Sequence, residues 1–297
     1  MARTARAARP PVACEIFADR VVAARSAPAG EYVEVHTARQ LAAGTVTPSL
    51  TGTNVNDPAA LAAVLEDALN AIAGRGRDVI AIIPDAAVRV VLLDFDSLPE
   101  SFHEAAGVIR FRLKKSLPFD VEKSVVSFYA NRAASPVKVV ATVGLASVVA
   151  EYEAAFRTAG YNPGIVVPST VAALGAVGGD RPTLILKVDG NSTTLAIVEQ
   201  NQLRLFRSLE TAGVNGNAQK LADEVYPSLV FFEDQFHSSV ERILVGGMVS
   251  AGEMAPALAL HTASPVEELV PERYVSGGLN AGTKSGVLAG VVGALVS

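Results

Sequence analysis

The sequence presents the same order of elements twice, once on each side of a break near its middle. The break is the run GGDRP at residues 178–182, where two glycines and a proline interrupt any helix or strand. Each side opens with a strand, a turn and two more strands, and then helices alternate with strands. At about 150 residues per domain, a chain of this length has room for two such units. The pattern predicts an α/β protein with two lobes, residues 1–178 and 179–297, and a mixed sheet in each.

The first lobe is expected to contain an additional unit. Apolar segments predict its opening strands, at 12–18, 21–25 and 31–41. A helix then begins at Pro58, with Asp57 as its cap. The run DVIAIIP at 78–84 is typical of a strand that is covered on both faces. From this strand onward, further strands and a helix starting near Pro99 predict an inserted subdomain over about residues 78–166.

The second lobe repeats the opening. Its first three strands are expected at 183–188, 194–198 and 203–208. A long helix from about Gly216 to Phe236 is expected to break or kink at Pro227. A buried strand at 243–245 then runs directly into two glycines, and an apolar terminal helix is expected to pack back onto the molecule.

Composition limits the classes of function. The chain has 25 Lys and Arg against 30 Asp and Glu, a net charge of −5, so no nucleic-acid partner is expected. Its one cysteine, Cys14, excludes an internal disulfide and suits a reducing cytoplasm. The apolar run 286–296 is about half the roughly 20 residues that a membrane-spanning helix requires. The N-terminal residues lack the apolar segment of a signal peptide, so a cytoplasmic location is expected.

The familiar catalytic and metal-binding patterns do not occur in the sequence. The four histidines (His36, His103, His237 and His261) are isolated and have no second ligand at metal spacing. No G-x-S-x-G motif occurs, and Cys14 has no nearby partner, so a nucleophilic hydrolase has no support. We therefore expect no catalytic residue and no metal site.

Three turns could instead present backbone N–H groups to a phosphate or a flat ligand. The first joins the opening two strands, the second is VDGNSTT at 188–194, and the third is VGG at 245–247. Glycine at such a turn lets a ligand lie close to the backbone. Each turn is common by itself, and the order of the three along the chain carries the information.

Three segments resemble a known family. The segment RFRLKKSLPFDVE at 110–122 resembles a helix and turn of the PilM group, whose turn reads (I/L)-P-F-D-(L/V)-E. Members of this group are actin-like cytoplasmic proteins of type IV pilus assembly. Residues 184–198 are similar to the group's second phosphate hairpin, and ERILVGG at 241–247 is similar to its adenosine motif. The resemblance implies a two-lobed actin-like (ribonuclease H-like) ATPase fold with a small subdomain inserted in the first lobe.

The residues on the phosphate side depart from the group's pattern. Phe17 stands where the group has glycine, and Val22 where it has lysine. Val188 takes the place of the group's Asp, and Asp189, one residue later, is expected on the opposite face of its strand. Pro227 replaces an arginine in a helix motif. These departures imply degenerate phosphate motifs and a protein that does not hydrolyse ATP.

The resemblance also assigns two sets of residues. A retained nucleotide site, binding ATP or ADP only weakly, would use Asp19, Asp189, Gly190, Asn191, Ser192, Thr193, Gly246, Gly247 and Met248. A peptide-binding surface would use Arg112, Lys115, Leu117, Pro118 and Phe119. On the alternative reading, the glycines are only turns of the scaffold, and 117–119 is only a structural corner.

The function implied is that of a non-catalytic scaffold peripheral to the inner membrane, in a type IV pilus or a related secretion platform. Its partner would be the cytoplasmic N-terminal tail of a PilN-like bitopic membrane protein, with other pilus platform proteins as further partners. Two alternatives remain open. One is an active ATPase of the same fold, and the other is a GspL-like cytoplasmic secretion component, whose family normally continues into a transmembrane helix.

Overall fold

A computed structural model describes residues 9–72, 74, 76–190, 192–211, 217–276 and 284–296. Over these residues the strands are β1 (Val12–Ile16), β2 (Arg20–Ser26), β3 (Val33–Gln40), β4 (Asp78–Ile83), β5 (Arg89–Phe95), β6 (Ser124–Asn131), β7 (Val137–Leu145), β8 (Asn162–Pro168), β9 (Thr183–Asp189), β10 (Ser192–Glu199), β11 (Gln202–Glu210), β12 (Arg242–Gly247) and β13 (Val266–Glu268). The helices are α1 (Pro58–Ile72), α2 (Phe102–Leu113), α3 (Ala146–Thr158), α4 (Ser169–Ala173), α5 (Ala218–Phe236), α6 (Ala251–Leu258) and α7 (Ala289–Val296).

Each lobe is built on a five-stranded sheet, and the two sheets have the same strand order. The first is ordered β3-β2-β1-β4-β8 and the second β11-β10-β9-β12-β13. In both, the first three strands form an antiparallel meander, and the remaining two run parallel to the central strand, β1 or β9. The doubled order of elements in the sequence therefore produces a doubled topology, and the predicted α/β fold class is confirmed.

The inserted subdomain is smaller than the sequence predicts. Its sheet, ordered β5-β7-β6, occupies residues 89–145 and is covered by α2. Its separate core includes Ile109 of α2 with Val139 and Ala141 of β7. β4 and β8, which fall inside the predicted range 78–166, belong to the first lobe's sheet instead, where they pair with each other. Strand pairing decides this boundary, and the apolar pattern alone does not reveal it.

Alternation along β4 divides the core of the first lobe into two layers. Val79, Ala81 and Ile83 pack with α1 and α3, whereas Ile80 and Ile82 point to the other face of the sheet. That second layer also receives Ile185 from the second lobe, so both lobes share one apolar core at their junction.

The helix α1 begins where the sequence predicts. The Asp57 carboxylate accepts a hydrogen bond of 3.0 Å from the backbone N–H of Ala60. This bond satisfies one of the N–H groups that the first turn of a helix leaves without a partner, so Asp57 acts as the cap.

The terminal helix α7 fills part of the shared core. Residues 289–295 are all buried, and the helix packs against β1, β2 and α4 of the first lobe. Two of its glycines permit this packing. A Cβ on Gly293 would clash with the backbone carbonyl of Ala172, and a Cβ on Gly290 would clash with the carboxylate of Glu15.

The helix α5 corrects a second prediction. It runs without a break from Ala218 to Phe236 and carries Pro227 in its interior. The apolar face formed by Leu221, Val225 and Phe232 packs into the core of the second lobe along the length of the helix, and this burial offsets the missing proline N–H. Among the residues that the structure describes, no helix is long and apolar enough to cross a membrane.

Candidate functional site at the junction of the lobes

The site of interest lies where the central strands of the two sheets face each other. β1 ends in the first predicted turn, and β9 ends in the second. β12 runs parallel to β9, so that Gly247 lies opposite Val188, and the third turn meets the second. Asn191, in the second turn, is outside the described residues.

A buried lysine occupies the centre of this junction. The Lys187 side chain has no exposed surface, and its Nζ lies 3.1 Å from Oε1 of Glu15 on β1. The same Nζ donates a hydrogen bond to Oδ2 of Asp189. The Ser169 hydroxyl, at the start of α4, donates a second hydrogen bond to Oε1 of Glu15. One ammonium group therefore joins carboxylates of the two lobes.

A third carboxylate completes the cluster. Asp85 is buried and accepts hydrogen bonds from the backbone N–H of Thr170, at 3.0 Å, and from the Thr170 hydroxyl. Its charge and the charges of Glu15 and Asp189 all act on Lys187. We call Glu15, Asp85, Lys187 and Asp189 the junction cluster.

Three carboxylates around one ammonium shift the pKa values of the cluster. Burial raises the pKa of Glu15 to about 7, although the charge of Lys187 opposes the shift. Burial likewise raises the pKa of Asp85. Burial alone would lower the pKa of Lys187, but the charges of Asp189, Glu15 and Asp85 raise it overall, so the ammonium stays protonated.

The Lys187 ammonium occupies part of the carboxylate oxygens of the junction cluster. Oε1 of Glu15 and Oδ2 of Asp189 hold the Lys187 ammonium, whereas the buried Oε2 of Glu15 and Oδ1 of Asp189 accept no hydrogen bond from a described residue. The described residues contain no group of three or more His, Cys, Asp or Glu side chains that could hold a metal ion.

The sequence predicts that Val188 takes the acidic position of the site and that Asp189 points to the opposite face of the strand. The structure contradicts this prediction. Instead, Val188 faces the core of the second lobe beside Leu186, and Asp189 shares the junction-facing side of β9 with Lys187. The two-residue period of a strand places residues 187 and 189 on one face. The carboxylate is therefore present at the junction, but it is neutralised by the lysine two residues before it.

The first turn is closed by its own side chains. The Phe17 ring is buried in the shared core, and its centroid lies 5.1 Å from Nζ of Lys187, a distance suited to a cation–π contact. Val22 is fully buried in the same core. Asp19 is exposed and pairs at 2.6 Å with the adjacent Arg20, whose hydrogen bond lowers the pKa of the Asp19 carboxyl.

The glycines of the third turn pack against protein. Gly247 has a positive φ of 85°, and an added Cβ would clash with the Val188 carbonyl. The backbone N–H of Met248 donates to that same carbonyl at 2.7 Å. A Cβ on Gly246 would lie 3.0 Å from Leu269. This pair thus lets the chain pass close to β9 and to the segment after β13, which is the scaffold role that the sequence left open.

Among the described residues of the second turn, Ser192 and Thr193 are engaged internally, and Gly190 is an exception. The Ser192 hydroxyl donates to the carbonyl of Asp189, at 3.1 Å. The buried Thr193 hydroxyl lies 3.1 Å from that of Thr211. The exception is Gly190, which has a φ of 54° and nothing within 4 Å of where its Cβ would be.

Comparisons with solved structures identify the fold. The chain aligns with the PilM–PilN type IV pilus biogenesis complex at a TM-score of 0.80 and 19% identity, over 97% of this chain and 98% of that one. The fold is PilM-like. It is therefore the actin-like ATPase fold that the sequence predicts. No protein-family model and no curated protein sequence matches the chain.

More distant matches, both with a TM-score of 0.52, belong to other systems. One is the cytoplasmic domain of EpsL, an inner-membrane component of the type II secretion system of Vibrio cholerae, and the other is the ethanolamine utilization protein EutJ from Carboxydothermus hydrogenoformans. EpsL is 10% identical, with 88% of this chain and 97% of that one covered. EutJ is 11% identical, with 97% and 90% covered. At these identities the likeness concerns the fold alone.

The segment that resembles the PilM group forms the end of α2 and the corner after it. Arg112, Lys115 and Pro118 are exposed, whereas Leu117 and Phe119 are partly buried and pack against the core of the inserted subdomain. The corner has a structural role, because its apolar side chains complete that core. The two cations flank it, Arg112 on the last turn of α2 and Lys115 in the turn that follows the helix.

Neighbouring side chains hold this corner in place. Arg110 donates a 2.9 Å hydrogen bond to the carbonyl of Val121, and Lys114 lies 3.7 Å from Glu122. Two of the four basic residues in the segment are thus engaged with the chain beyond the corner. Arg112 and Lys115 are exposed and make no ion pair with a described residue.

Sequence reasoning missed Lys187, Asp85 and Ser169. A signal was available, because Lys187 and Asp189 are the charged residues of the otherwise apolar strand TLILKVD, and Glu15 is the charged residue of VACEI. A charge in the middle of a buried strand requires a partner. That the partner comes from the other lobe, or that Ser169 and Asp85 join it, cannot be read from spacing.

Proposed function

We propose that this protein is a non-catalytic, PilM-like scaffold of a type IV pilus or a related secretion platform. In this role it would lie at the cytoplasmic face of the inner membrane and bind the N-terminal tail of a PilN-like bitopic protein. The observation that carries the proposal is the match over nearly the whole of both chains to a PilM structure in complex with PilN. Other platform proteins would be secondary partners.

The junction cluster supports the non-catalytic part of the proposal. Phosphoryl transfer depends on free groups that position phosphates and a metal ion, and these contribute most of the catalysis. Here Asp189 and Glu15 are bound to Lys187, and Phe17 covers the ammonium. An internal ion-pair cluster therefore joins the two lobes at this position.

Steady-state turnover of Mg-ATP tests this part. The purified full chain should release phosphate at the rate of a buffer control. As a matched pair, Asp189→Asn and Asp180→Asn should behave alike, because neither carboxylate takes part in turnover. Mg²⁺-dependent turnover in the wild type that Asp189→Asn abolishes and Asp180→Asn leaves intact would establish the alternative, an active ATPase.

The exposed surface of the inserted subdomain supports the partner-binding part. Arg112 and Lys115 are exposed and lie three residues apart, at the end of α2 and in the turn after it. β6 is an edge strand of the inserted sheet, so it can add a main-chain partner, and its side chains Val125 and Tyr129 are exposed apolar groups. An extended tail placed there would gain backbone hydrogen bonds, apolar contacts and charge contacts together.

Calorimetric titration with a synthetic tail tests this placement. The peptide is the cytoplasmic N-terminus of a bitopic protein encoded beside this chain's gene, and the full chain should bind it. The double variant Arg112→Ala/Lys115→Ala should bind it at least about a hundredfold more weakly, since charge-assisted contacts contribute about 1.5–3 kcal/mol each when made. Lys123→Ala, an exposed lysine of the same subdomain, is the control. Equal binding by the double variant would refute the placement, and no binding by the wild type would refute the partner.

The similarity to the EpsL cytoplasmic domain favours a second candidate, a GspL-like secretion component. The genomic neighbourhood separates the two. A neighbouring gene for a short cytoplasmic tail, one spanning helix and a periplasmic domain supports the pilus role. Secretion-system genes in the same position would support the GspL-like role.

A further inference from the structure

The inserted subdomain and the second lobe enclose a cleft of which the assignments above use only Arg112. Its volume is about 430 Å³. One wall is formed by β5, β7 and Arg112 of α2, and the other by β11 and the end of α5. The volume lies within the roughly 300–1,000 Å³ that small-molecule sites occupy. Leu92, Val140, Leu203 and Phe236 give the cleft an apolar lining.

The charged residues of the cleft are mostly basic, although the whole chain carries a net charge of −5. Arg112, Lys138 and Arg204 line it, against one acidic residue, Asp94, which pairs with Lys138 at 2.7 Å. With this pair neutralised, the remaining positive groups of the cleft are Arg112 and Arg204, of which Arg204 is also paired with Glu199. One comes from the inserted subdomain and the other from the second lobe.

Both arginines have guanidinium N–H groups that make no hydrogen bond with a described residue. Arg112 is exposed and makes no hydrogen bond or ion pair with any described residue. The Nε of Arg204 lies 3.2 Å from Oε2 of Glu199, and its guanidinium carbon lies 5.7 Å from the centroid of the Phe236 ring. Toward the described residues, the terminal nitrogens of Arg204 make no hydrogen bond. Two planar donor groups beside an apolar wall suit a carboxylate, sulfonate or phosphate attached to an apolar body.

The width of the cleft favours a compact ligand over a peptide chain. β5 and β11 are edge strands of their sheets, and their Cα atoms approach within 8 Å. A strand inserted between them would need about 9.5 Å, two spacings of a β-sheet. The strands do not pair with each other, so the remaining space is accessible from the side, and it holds a small molecule without separation of the sheets.

We propose that this cleft binds a small organic anion with an apolar body, held between Arg112 and Arg204 and packed against Phe236. Such a ligand bridges the inserted subdomain and the second lobe. The proposal does not depend on the scaffold function or on the PilN-like partner, since most of the lining residues lie outside the surface assigned to the tail.

The probe that tests it is 8-anilinonaphthalene-1-sulfonate, a fluorescent aromatic anion, titrated into the full chain. We expect saturable fluorescence enhancement with one dye per chain. N-phenyl-1-naphthylamine has the same aromatic body without the sulfonate and should bind more weakly. Arg112→Gln and Arg204→Gln should each weaken binding of the sulfonate by roughly tenfold, as expected for loss of a charge-assisted contact, and leave the neutral dye unaffected.

Two controls separate this cleft from general surface binding. Lys123→Gln and Lys220→Gln each remove an exposed lysine outside the cleft, one from each side, and should leave the titration unchanged. Arg112 makes no contact that folding depends on, so Arg112→Gln keeps the test valid even if Arg204→Gln destabilises the protein. Equal sulfonate affinity in Arg112→Gln and wild type, equal affinity for the two dyes, or the absence of saturable binding would each overturn the proposal.

Discussion

The lobes of this protein approach each other at two places, one where the charged groups are paired with each other and one where they are left partly unpaired. At the junction cluster, Lys187 is fully buried, and its charge is matched within hydrogen-bonding distance by Glu15 and Asp189. In the cleft, Arg112 and Arg204 keep donors free beside an open space. Burial explains the difference, because an unpaired charge away from water is costly whereas a hydrated one is tolerated. The junction cluster therefore pairs its ammonium internally, whereas the cleft leaves donors for a ligand.

The largest expected effect comes from removing the buried ammonium. Lys187→Met keeps the volume but leaves three carboxylates near one another without a cation. Loss of one partner from a buried ion pair costs about 3–5 kcal/mol, so the free energy of unfolding should fall by that amount in denaturant titration. Lys123→Met, at an exposed position, should change it by less than about 0.5 kcal/mol. A loss below about 1 kcal/mol for Lys187→Met would mean that the cluster does not hold the lobes together.

The free energy of unfolding should depend on pH through the protonation of the Glu15 carboxyl. Its pKa is about 7 in the folded protein, above the ordinary value of 4.5, so the folded state keeps a proton that the unfolded state releases. The stabilisation that this bound proton provides is complete below the unfolded-state pKa and is lost as the pH rises through 7. The free energy of unfolding should then fall by up to about 3 kcal/mol. Denaturant titrations at pH 5 and pH 8 measure it. Glu15→Gln should flatten the decline, and an equal slope in wild type and variant would contradict the assignment.

The packing of α7 provides a third comparison. Gly293→Ala places a methyl group against the backbone of α4 and should cost about 1–3 kcal/mol, as overpacking usually does. Gly252→Ala, on α6, is the matched control, since nothing lies within 4 Å of the added Cβ. Replacing a helical glycine with alanine at such a position should stabilise by about 0.5–1 kcal/mol. Thermal unfolding of the two variants should therefore shift in opposite directions.

The smallest expected effect is that of nucleotide. Because the Lys187 ammonium and the Phe17 ring occupy the phosphate side, Mg-ATP at about 1 mM should shift the unfolding free energy by less than about 0.5 kcal/mol. ADP should have the same effect as ATP, since any remaining binding would depend on the adenine. A marked stabilisation by ATP over ADP would show that the triphosphate displaces the internal ion pair.

How far the sequence predicts this molecule depends on whether the determining contacts are local. The doubled lobes, the cap at Asp57 and the strand order of each opening meander follow from periodicity and turn residues. The limits of the inserted subdomain do not, because β4 and β8 pair across about 80 residues, which periodicity does not reveal. Pro227 fails as a breaker because core packing on both sides of it outweighs the local preference.

The candidate site divides in the same way. The turns at Phe17 and Gly190 could be located from glycine placement and from the family resemblance. The side of β9 that faces the first lobe could not be located, since alternation gives two faces without saying which is which. The error with Val188 and Asp189 arises from this ambiguity, and the lysine at 187 resolves it only when Glu15 is seen opposite.

The position of α7 has a consequence for biosynthesis. The core of the first lobe is completed by residues 289–296, which contact β1 at residues 12–16. A ribosome that has finished residue 178 must still add about 110 residues before that helix exists, and at roughly 5–20 residues per second this takes about 5–20 s. During that interval the junction face of β1, with Glu15 on it, lacks its cover. The nascent first lobe therefore reaches its final packing only when translation of the second lobe is nearly complete.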